Sequence, residues 1–125
     1  MERKKSITEI RMQKFLKHIE QHYSEDLSLA DLAKSANVSK SECLRCFKQS
    51  MGTTPYKYLI EYRLSQAAVL LKSTDDTIEY IASKIGFGQA SSFGKYFREK
   101  TGLSPKDYRK SRTSEVSATK KRENE

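Results

Sequence analysis

Two stretches of the chain decide the fold: "LADLAKSANV" at residues 29–38 and "IEYIASKIGF" at residues 78–87. Their apolar positions coincide when the two are aligned without a gap. With one further residue in the second copy, the match resumes at an offset of 50 residues, and it pairs Ser41, Phe47, Gly52, Pro55 and Tyr58 with Ser91, Phe97, Gly102, Pro105 and Tyr108. The chain therefore contains two copies of one small module.

Each copy has the pattern of a short helix, a tight turn and a second helix. The turn position is Asn37 in the first copy and Gly86 in the second, residue types that adopt a left-handed backbone most readily. The next residue, Val38 or Phe87, is apolar and can fill the angle between the helices. This layout is that of a helix-turn-helix, whose second helix enters the DNA major groove. An ordinary helical hairpin in an all-α bundle has the same pattern.

Helical periodicity dominates the chain, and no run alternates as a strand would. We predict an all-α fold of about seven helices, in which two helix-turn-helix subdomains are joined by a long linking helix. Thr54 is the expected N-cap of that linking helix, with Pro55 at its first position. The predicted divisions are residues 1–54 for the first subdomain, 55–72 for the linking helix, 73–112 for the second subdomain and 113–125 for a disordered polar tail.

The length of the linking helix suggests how the two modules could be used together. About 18 residues at a rise of 1.5 Å per residue span roughly 27 Å, which is near the roughly 34 Å between successive major-groove entries on one face of DNA. One chain could therefore occupy two adjacent grooves. Because the two reading faces differ in sequence, we expect an asymmetric site.

The charge of the chain points to an anionic partner. Lys and Arg number 24 against 16 Asp and Glu, which gives a net charge of +8 and a pI near 9.5. Residues 113–125 carry three basic and three acidic side chains, so the whole excess lies on residues 1–112. A basic folded domain favours nucleic acid as its partner.

The expected location is the cytoplasm, with association to the nucleoid through DNA. No run approaches the roughly 18 apolar residues that a membrane span requires. No apolar run at the N-terminus resembles a signal peptide. The two cysteines form no disulfide framework, so we expect reduced thiols.

The outward faces of the two second helices are predicted to read DNA. In the first, the shared outward side holds Ser41, Leu44, Arg45 and Lys48, opposite Cys43, Cys46, Phe47 and Ser50. In the second, it holds Ser91, Gly94, Lys95 and Arg98, opposite Phe93, Tyr96 and Phe97. Both outward faces are thus polar, small and basic.

Individual residues on these faces suit different contacts. Arg45 can donate two hydrogen bonds to a guanine edge, whereas Lys48, Lys95 or Arg98 can reach phosphates or bases. Leu44 can contact a thymine methyl group or be an ordinary exposed leucine. A glycine in mid-helix costs about 1 kcal/mol against alanine, and Gly94 would allow close approach to DNA.

Residues 78–109, "IEYIASKIGFGQASSFGKYFREKTGLSPKDYR", resemble the signature region of the DNA-binding domain of AraC/XylS-type transcription regulators. The first half, "LSLADLAKSANVSKSECLRCFKQSMGTTPYKYL", and the link "EYRLSQAAVLLKST" are also similar, and the resemblance covers about residues 7–110. It implies a seven-helix, two-subdomain fold and promoter binding, usually with activation through contact to RNA polymerase. By position it implies these reading residues: Ser41, Glu42, Leu44 and Arg45 in one helix, and Ala90, Ser91, Ser92, Gly94 and Lys95 in the other.

The chain departs from the family pattern at its start. Members usually carry a separate ligand-sensing or dimerisation domain before this unit, whereas only "MERKKS" precedes the first predicted helix here. The chain is therefore either a stand-alone regulator or a fragment of a longer one.

Two other functions are alternatives to DNA reading. His18 and His22, with Cys43 and Cys46, have spacings that could form a zinc or redox module; against this, the repeat places Phe93 and Tyr96 at the positions of the two cysteines. A helical protein-interaction module without DNA contact is the second alternative. The sequence contains no nucleophile–base pair, phosphate-binding Gly loop or carboxylate dyad, so we expect no enzyme, cofactor or metal, and no small-molecule site was identified.

Overall fold

The computed structural model describes residues 4–111, and every regular element within that range is an α-helix. In chain order the helices are α1 (Ile7–His22), α2 (Leu29–Ser35), α3 (Lys40–Met51), α4 (Pro55–Ser73), α5 (Ile78–Lys84), α6 (Ala90–Thr101) and α7, whose described part is 105–111. The predicted all-α fold with seven helices is confirmed. The predicted disordered tail at 113–125 lies outside the described residues.

Hydroxyl side chains fix the starts of most helices. Each accepts a hydrogen bond from the backbone amide three residues further on, which satisfies a donor that the first helical turn leaves unpaired. The pairs, at 3.0–3.2 Å, are Ser6 with Glu9, Ser28 with Asp31, Ser39 with Glu42, Thr54 with Lys57, Thr77 with Tyr80 and Ser104 with Asp107. Helix α6 differs, because its N-cap Gln89 makes no side-chain capping bond.

The chain forms two compact units, one up to Tyr62 and the other from Arg63 onward, so the boundary falls inside α4. In the first unit, α1, α2 and α3 pack on one another. The fully buried side chains there are Phe15, Ile19, Cys43, Cys46 and Phe47. In the second unit they include Ile81, Ile85, Phe93 and Phe97. The division predicted from sequence, with the linking helix as a separate segment, stays a prediction.

The two units repeat one packing arrangement. In the first, the rings of Phe47 and Tyr58 meet edge to face with their centroids 6.0 Å apart. At the equivalent positions of the second, the rings of Phe97 and Tyr108 do the same at 5.1 Å. Gly52 and Gly102, also equivalent, end α3 and α6 in the left-handed conformation with φ of 67° and 82°. The sequence repeat is therefore a structural repeat.

Candidate nucleic-acid interface

The turn between the two helices of each module is built in the same way. Asn37 has φ of 56° and Gly86 has φ of 95°, so both predicted turn residues adopt the left-handed conformation. The amide of the following residue then donates back into the first helix, from Val38 to Ala33 O at 3.1 Å and from Phe87 to Ala82 O at 2.9 Å. These bonds close the turn between α2 and α3 and the turn between α5 and α6.

Helix α3 separates its residues as the periodicity predicts. Its buried side is formed by Cys43, Cys46 and Phe47, which are fully buried. Its exposed predicted reading residues are Ser41, Leu44, Arg45 and Lys48, while Glu42 is half-buried. Ser50, which the helical spacing placed beside the cysteines, is exposed because it lies in the last turn of α3, where the core ends.

Helix α6 shows the same separation with different residues. Phe93 and Phe97 are fully buried, but Tyr96 is only half-buried, so the inward stripe is narrower than predicted. The Tyr96 ring packs on the ring of Phe87 at a centroid distance of 5.7 Å. Of the predicted reading residues, the exposed ones are Ser91, Ser92, Lys95 and Arg98, and the half-buried ones are Ala90 and Gly94.

Arg45 is held by its neighbours on the exposed face of α3. Its Nε donates to Glu42 Oε2 at 3.0 Å, and its Nη2 donates to Glu42 Oε1. Its Nη1 donates to Gln49 Oε1 at 3.0 Å. From α1, Arg11 Nη1 also donates to Glu42 Oε1, at 2.7 Å. We call these four residues, Arg11, Glu42, Arg45 and Gln49, the arginine cluster.

The arginine cluster keeps its carboxylate ionised. Hydrogen bonding from Arg45, together with the charges of Arg45 and Arg11, holds the pKa of Glu42 below its ordinary value. In return, the bonds and charge of Glu42 raise the pKa of Arg45. The two arginines outweigh the single carboxylate, so the cluster presents a net positive charge, which suits contact with DNA.

Arg11 and Gln49 are the members of the arginine cluster that the sequence did not suggest. The Arg45–Gln49 pair has the i, i+4 spacing at which helical side chains meet, so Gln49 could have been found. Arg11 lies 31 residues before Glu42, and its contact depends on how α1 packs against α3. No local pattern carries that information.

The cysteines and histidines of the metal alternative occupy separate environments. Cys43 and Cys46 are free thiols inside the core, and burial raises the pKa of Cys43 to about 11. The rings of His18 and His22 lie 4.4 Å apart, and His22 Nδ1 pairs with Glu25. Within residues 4–111, no group of three or more His, Cys, Asp and Glu side chains could hold a metal ion.

Leu44 borders an apolar groove in the first unit that the sequence did not suggest. The groove has a volume of about 160 Å³, and its walls include Leu27, Leu32, Tyr56 and Leu59. Leu44 is 41% exposed, so its outer surface stays accessible. The predicted contact of Leu44 with a thymine methyl group stays a prediction.

No helix among the described residues is long and apolar enough to cross a membrane. The longest, α4, has 19 residues but carries several charged side chains along its length.

A family model described as "Helix-turn-helix domain" matches residues 32–111, which include the second module and all of the first except its opening three residues. Among curated proteins, the uncharacterized HTH-type transcriptional regulator YdeC of Bacillus subtilis is 33% identical over 100 residues, covering 80% of this chain and 34% of its own length. The HTH-type transcriptional activator RhaS of Citrobacter koseri is 33% identical over 102 residues, covering 82% and 37%. The chain thus spans about a third of the length of these relatives.

Solved structures agree with this match. A transcriptional regulator of the AraC-type DNA-binding domain class from Chromobacterium violaceum is 32% identical with a TM-score of 0.79, covering 82% of this chain and 92% of that one. The DNA-binding domain of AdpA, a global transcriptional factor solved in complex with a target DNA, is 27% identical with a TM-score of 0.79, covering 84% and 95%.

Proposed function

The chain belongs to the AraC-type helix-turn-helix family of transcription regulators, and on that premise we propose that it reads an asymmetric DNA site with α3 and α6. The observation that carries the proposal is the repeated separation of these helices into a buried apolar side and an exposed, small and basic side. A helical hairpin that served only to pack the core would not require an exposed basic face in both copies. Each helix follows a tight turn that leaves its first residues accessible for base contact.

The exposed residues take two kinds of role in this proposal. In α3, Arg45 reads a guanine, Lys48 contacts phosphate, and Ser41 and Leu44 lie close to base edges. In α6, Lys95 and Arg98 supply the positive charge, whereas the small residues Ala90, Ser91, Ser92 and Gly94 allow close approach. Since DNA is the partner, the protein would act in the cytoplasm at the nucleoid, and without catalysing a reaction.

Regulation is proposed to be activation through contact with RNA polymerase. Support comes from the similar protein RhaS, whose name describes it as a transcriptional activator. Run-off transcription with purified polymerase, on a promoter carrying the bound site, would show more transcript when the protein is added. Less transcript at saturating protein would instead make it a repressor.

Binding of fluorescent duplexes tests the DNA proposal. A site is first selected from random duplexes, and its affinity is compared with that of random duplex at several salt concentrations. Arg45→Ala should weaken binding to the selected site by about 1–3 kcal/mol, because a bidentate guanine contact is lost. Lys17→Ala, which removes an exposed positive charge from α1, is the matched control and should spare discrimination between the two duplexes. Equal loss on both duplexes for Arg45→Ala would assign Arg45 to phosphate.

A further inference from the structure

We propose that Glu42 is a positioning residue, and that the arginine cluster presents Arg45 to a guanine in a preset orientation. The inference rests on the proposed function and deepens it, because it assigns the specificity of α3 to one side chain and names the groups that aim it. By position in the family pattern, Glu42 itself would be a base reader. The contacts in this structure assign it a different role.

The hydrogen-bond count of Arg45 supports this role. A guanidinium has five N–H donors. Glu42 takes the Nε hydrogen and one on Nη2, and Gln49 takes one on Nη1. One hydrogen on each of Nη1 and Nη2 has no acceptor among the part of the chain that the structure describes. Two terminal N–H groups of this kind are what the O6 and N7 atoms of guanine accept.

The carboxylate of Glu42 is already engaged on both oxygens. Oε2 accepts from Arg45, and Oε1 accepts from both Arg45 and Arg11. To accept a bond from a cytosine amino group, Glu42 would have to share or release these charged donors. Bonds between ionised partners are roughly twice as strong as neutral ones, so keeping them is favoured.

The presence of Arg11 explains how a carboxylate can lie on a surface that faces DNA phosphates. It is half-buried, with a side-chain exposure of 29%, and it approaches Glu42 from a different helix. Its charge offsets the repulsion that Glu42 would otherwise exert on the DNA backbone. Its hydrogen bond from α1 also holds the Glu42 side chain back from the DNA major groove. The side chain to which Arg45 is bound is therefore fixed.

Orientation before binding has a measurable consequence. A free arginine loses much rotamer freedom when it is fixed against a base, and a side chain held in place beforehand loses less. Removal of Glu42 should therefore weaken discrimination at the base pair that Arg45 reads. It should not weaken binding to random DNA, because it removes a negative charge.

The test measures binding to two duplexes: the selected site, and the same site with the guanine base pair at the Arg45 position replaced by an A·T pair. Wild-type protein should discriminate between them about tenfold to a hundredfold. Glu42→Ala should reduce that ratio at least about fivefold, while affinity for random duplex stays equal or rises. Arg11→Met should reduce the ratio less.

Two controls separate positioning from other effects. Glu79→Ala removes an exposed carboxylate on α5, and it should leave the discrimination ratio unchanged. In an Arg45→Ala background, Glu42→Ala should cause no further loss of discrimination, because the side chain that it aims is gone. Circular dichroism melting of each variant confirms that the helices remain folded.

Three results would overturn the inference. Full discrimination by Glu42→Ala would show that Arg45 needs no support, and higher discrimination would show that Glu42 withholds Arg45 from DNA. Loss at a base pair other than the one lost in Arg45→Ala would make Glu42 a reader in its own right. If wild-type protein binds the selected and random duplexes equally, the failure is that of the proposed function.

Discussion

Helices α3 and α6 occupy equivalent places in the two modules, yet they are supported differently. Helix α3 begins at a hydroxyl cap, Ser39, and buries two cysteines. Helix α6 has no side-chain cap, and Phe93 and Tyr96 stand at the positions of the two cysteines. On the exposed side, Arg45 is held by the arginine cluster, whereas Lys95 has no hydrogen-bond or ion-pair partner among residues 4–111.

This difference distinguishes the positions that determine the fold from the positions proposed to contact DNA. Positions that both modules share, such as Phe47 with Phe97 and Gly52 with Gly102, set the backbone. Some positions that differ, such as Glu42 with Ser92, lie outside the buried stripe. Ser92 is too short to bind a neighbouring cation as Glu42 does. Under the proposed function, the two helices share one backbone plan and make two kinds of DNA contact.

The largest expected effect tests the shared core. Phe47→Ala and Phe97→Ala each remove a fully buried ring, and each should lower the free energy of unfolding by about 3–5 kcal/mol. Chemical denaturation followed by circular dichroism measures it. Val69→Ala, at a side chain that is 60% exposed, is the control and should change stability by less than about 0.5 kcal/mol. If one Phe variant costs as little as the control, the two cores are not equivalent.

Substitutions at the N-caps of α3 and α6 should give smaller changes in stability, of opposite sign. Ser39→Ala removes the bond to the Glu42 amide and should cost about 1 kcal/mol. Gln89→Ser supplies a hydroxyl where α6 lacks a capping bond, and it should stabilise the protein by a similar or smaller amount. Both are read from denaturation midpoints at equal slope. A destabilised Gln89→Ser variant would mean that Gln89 has another role in the fold.

A substitution at Gly94 should change the stability of α6 and the affinity for DNA in opposite directions. A Cβ at this position would meet nothing within 4 Å, so Gly94→Ala should stabilise α6 by up to about 1 kcal/mol. If the glycine serves close approach to DNA, the same variant should bind the selected duplex less tightly. A more stable variant with unchanged affinity would assign Gly94 no role in DNA contact.

The last expected effect is confined to alkaline pH and concerns the buried thiol of Cys43. Its pKa is raised from 9.0 to about 11 by burial, so the folded state retains a proton that the unfolded state loses. This contribution to stability is complete below pH 9 and is lost as pH rises toward 11. Stability in that interval should fall less steeply in Cys43→Ala than in the wild type. An identical slope in both proteins would contradict burial as the cause.

Local chemistry explains which features could be predicted from the sequence. The caps at Ser28, Ser39 and Thr54 need only a hydroxyl beside an amide that lies three residues on, and the turn at Asn37 needs only a residue that tolerates positive φ. The outward direction of Arg45 follows from helical periodicity. Helical periodicity does not give the depth at which a side chain lies in the core, and Tyr96 is accordingly less buried than its spacing indicated.

Contacts between helices lay beyond the sequence. The bond of Arg11 to Glu42 joins α1 to α3, and the apolar groove beside Leu44 is lined by residues from several helices. Both depend on how the helices pack, and Arg11 in addition lies on α1, which precedes the first copy. The exposed faces of α3 and α6 and the local pairs of Arg45 could therefore be predicted, while the contact of Arg11 with Glu42 could not.

Selection from random duplexes at physiological salt is the decisive measurement for DNA reading by two different helices of one chain. We expect an enriched, asymmetric site of two short blocks about one helical turn apart, with a guanine in one block that is no longer enriched when Arg45→Ala is used. No enrichment over random duplex, or a palindromic site, would contradict reading by two different helices of one chain.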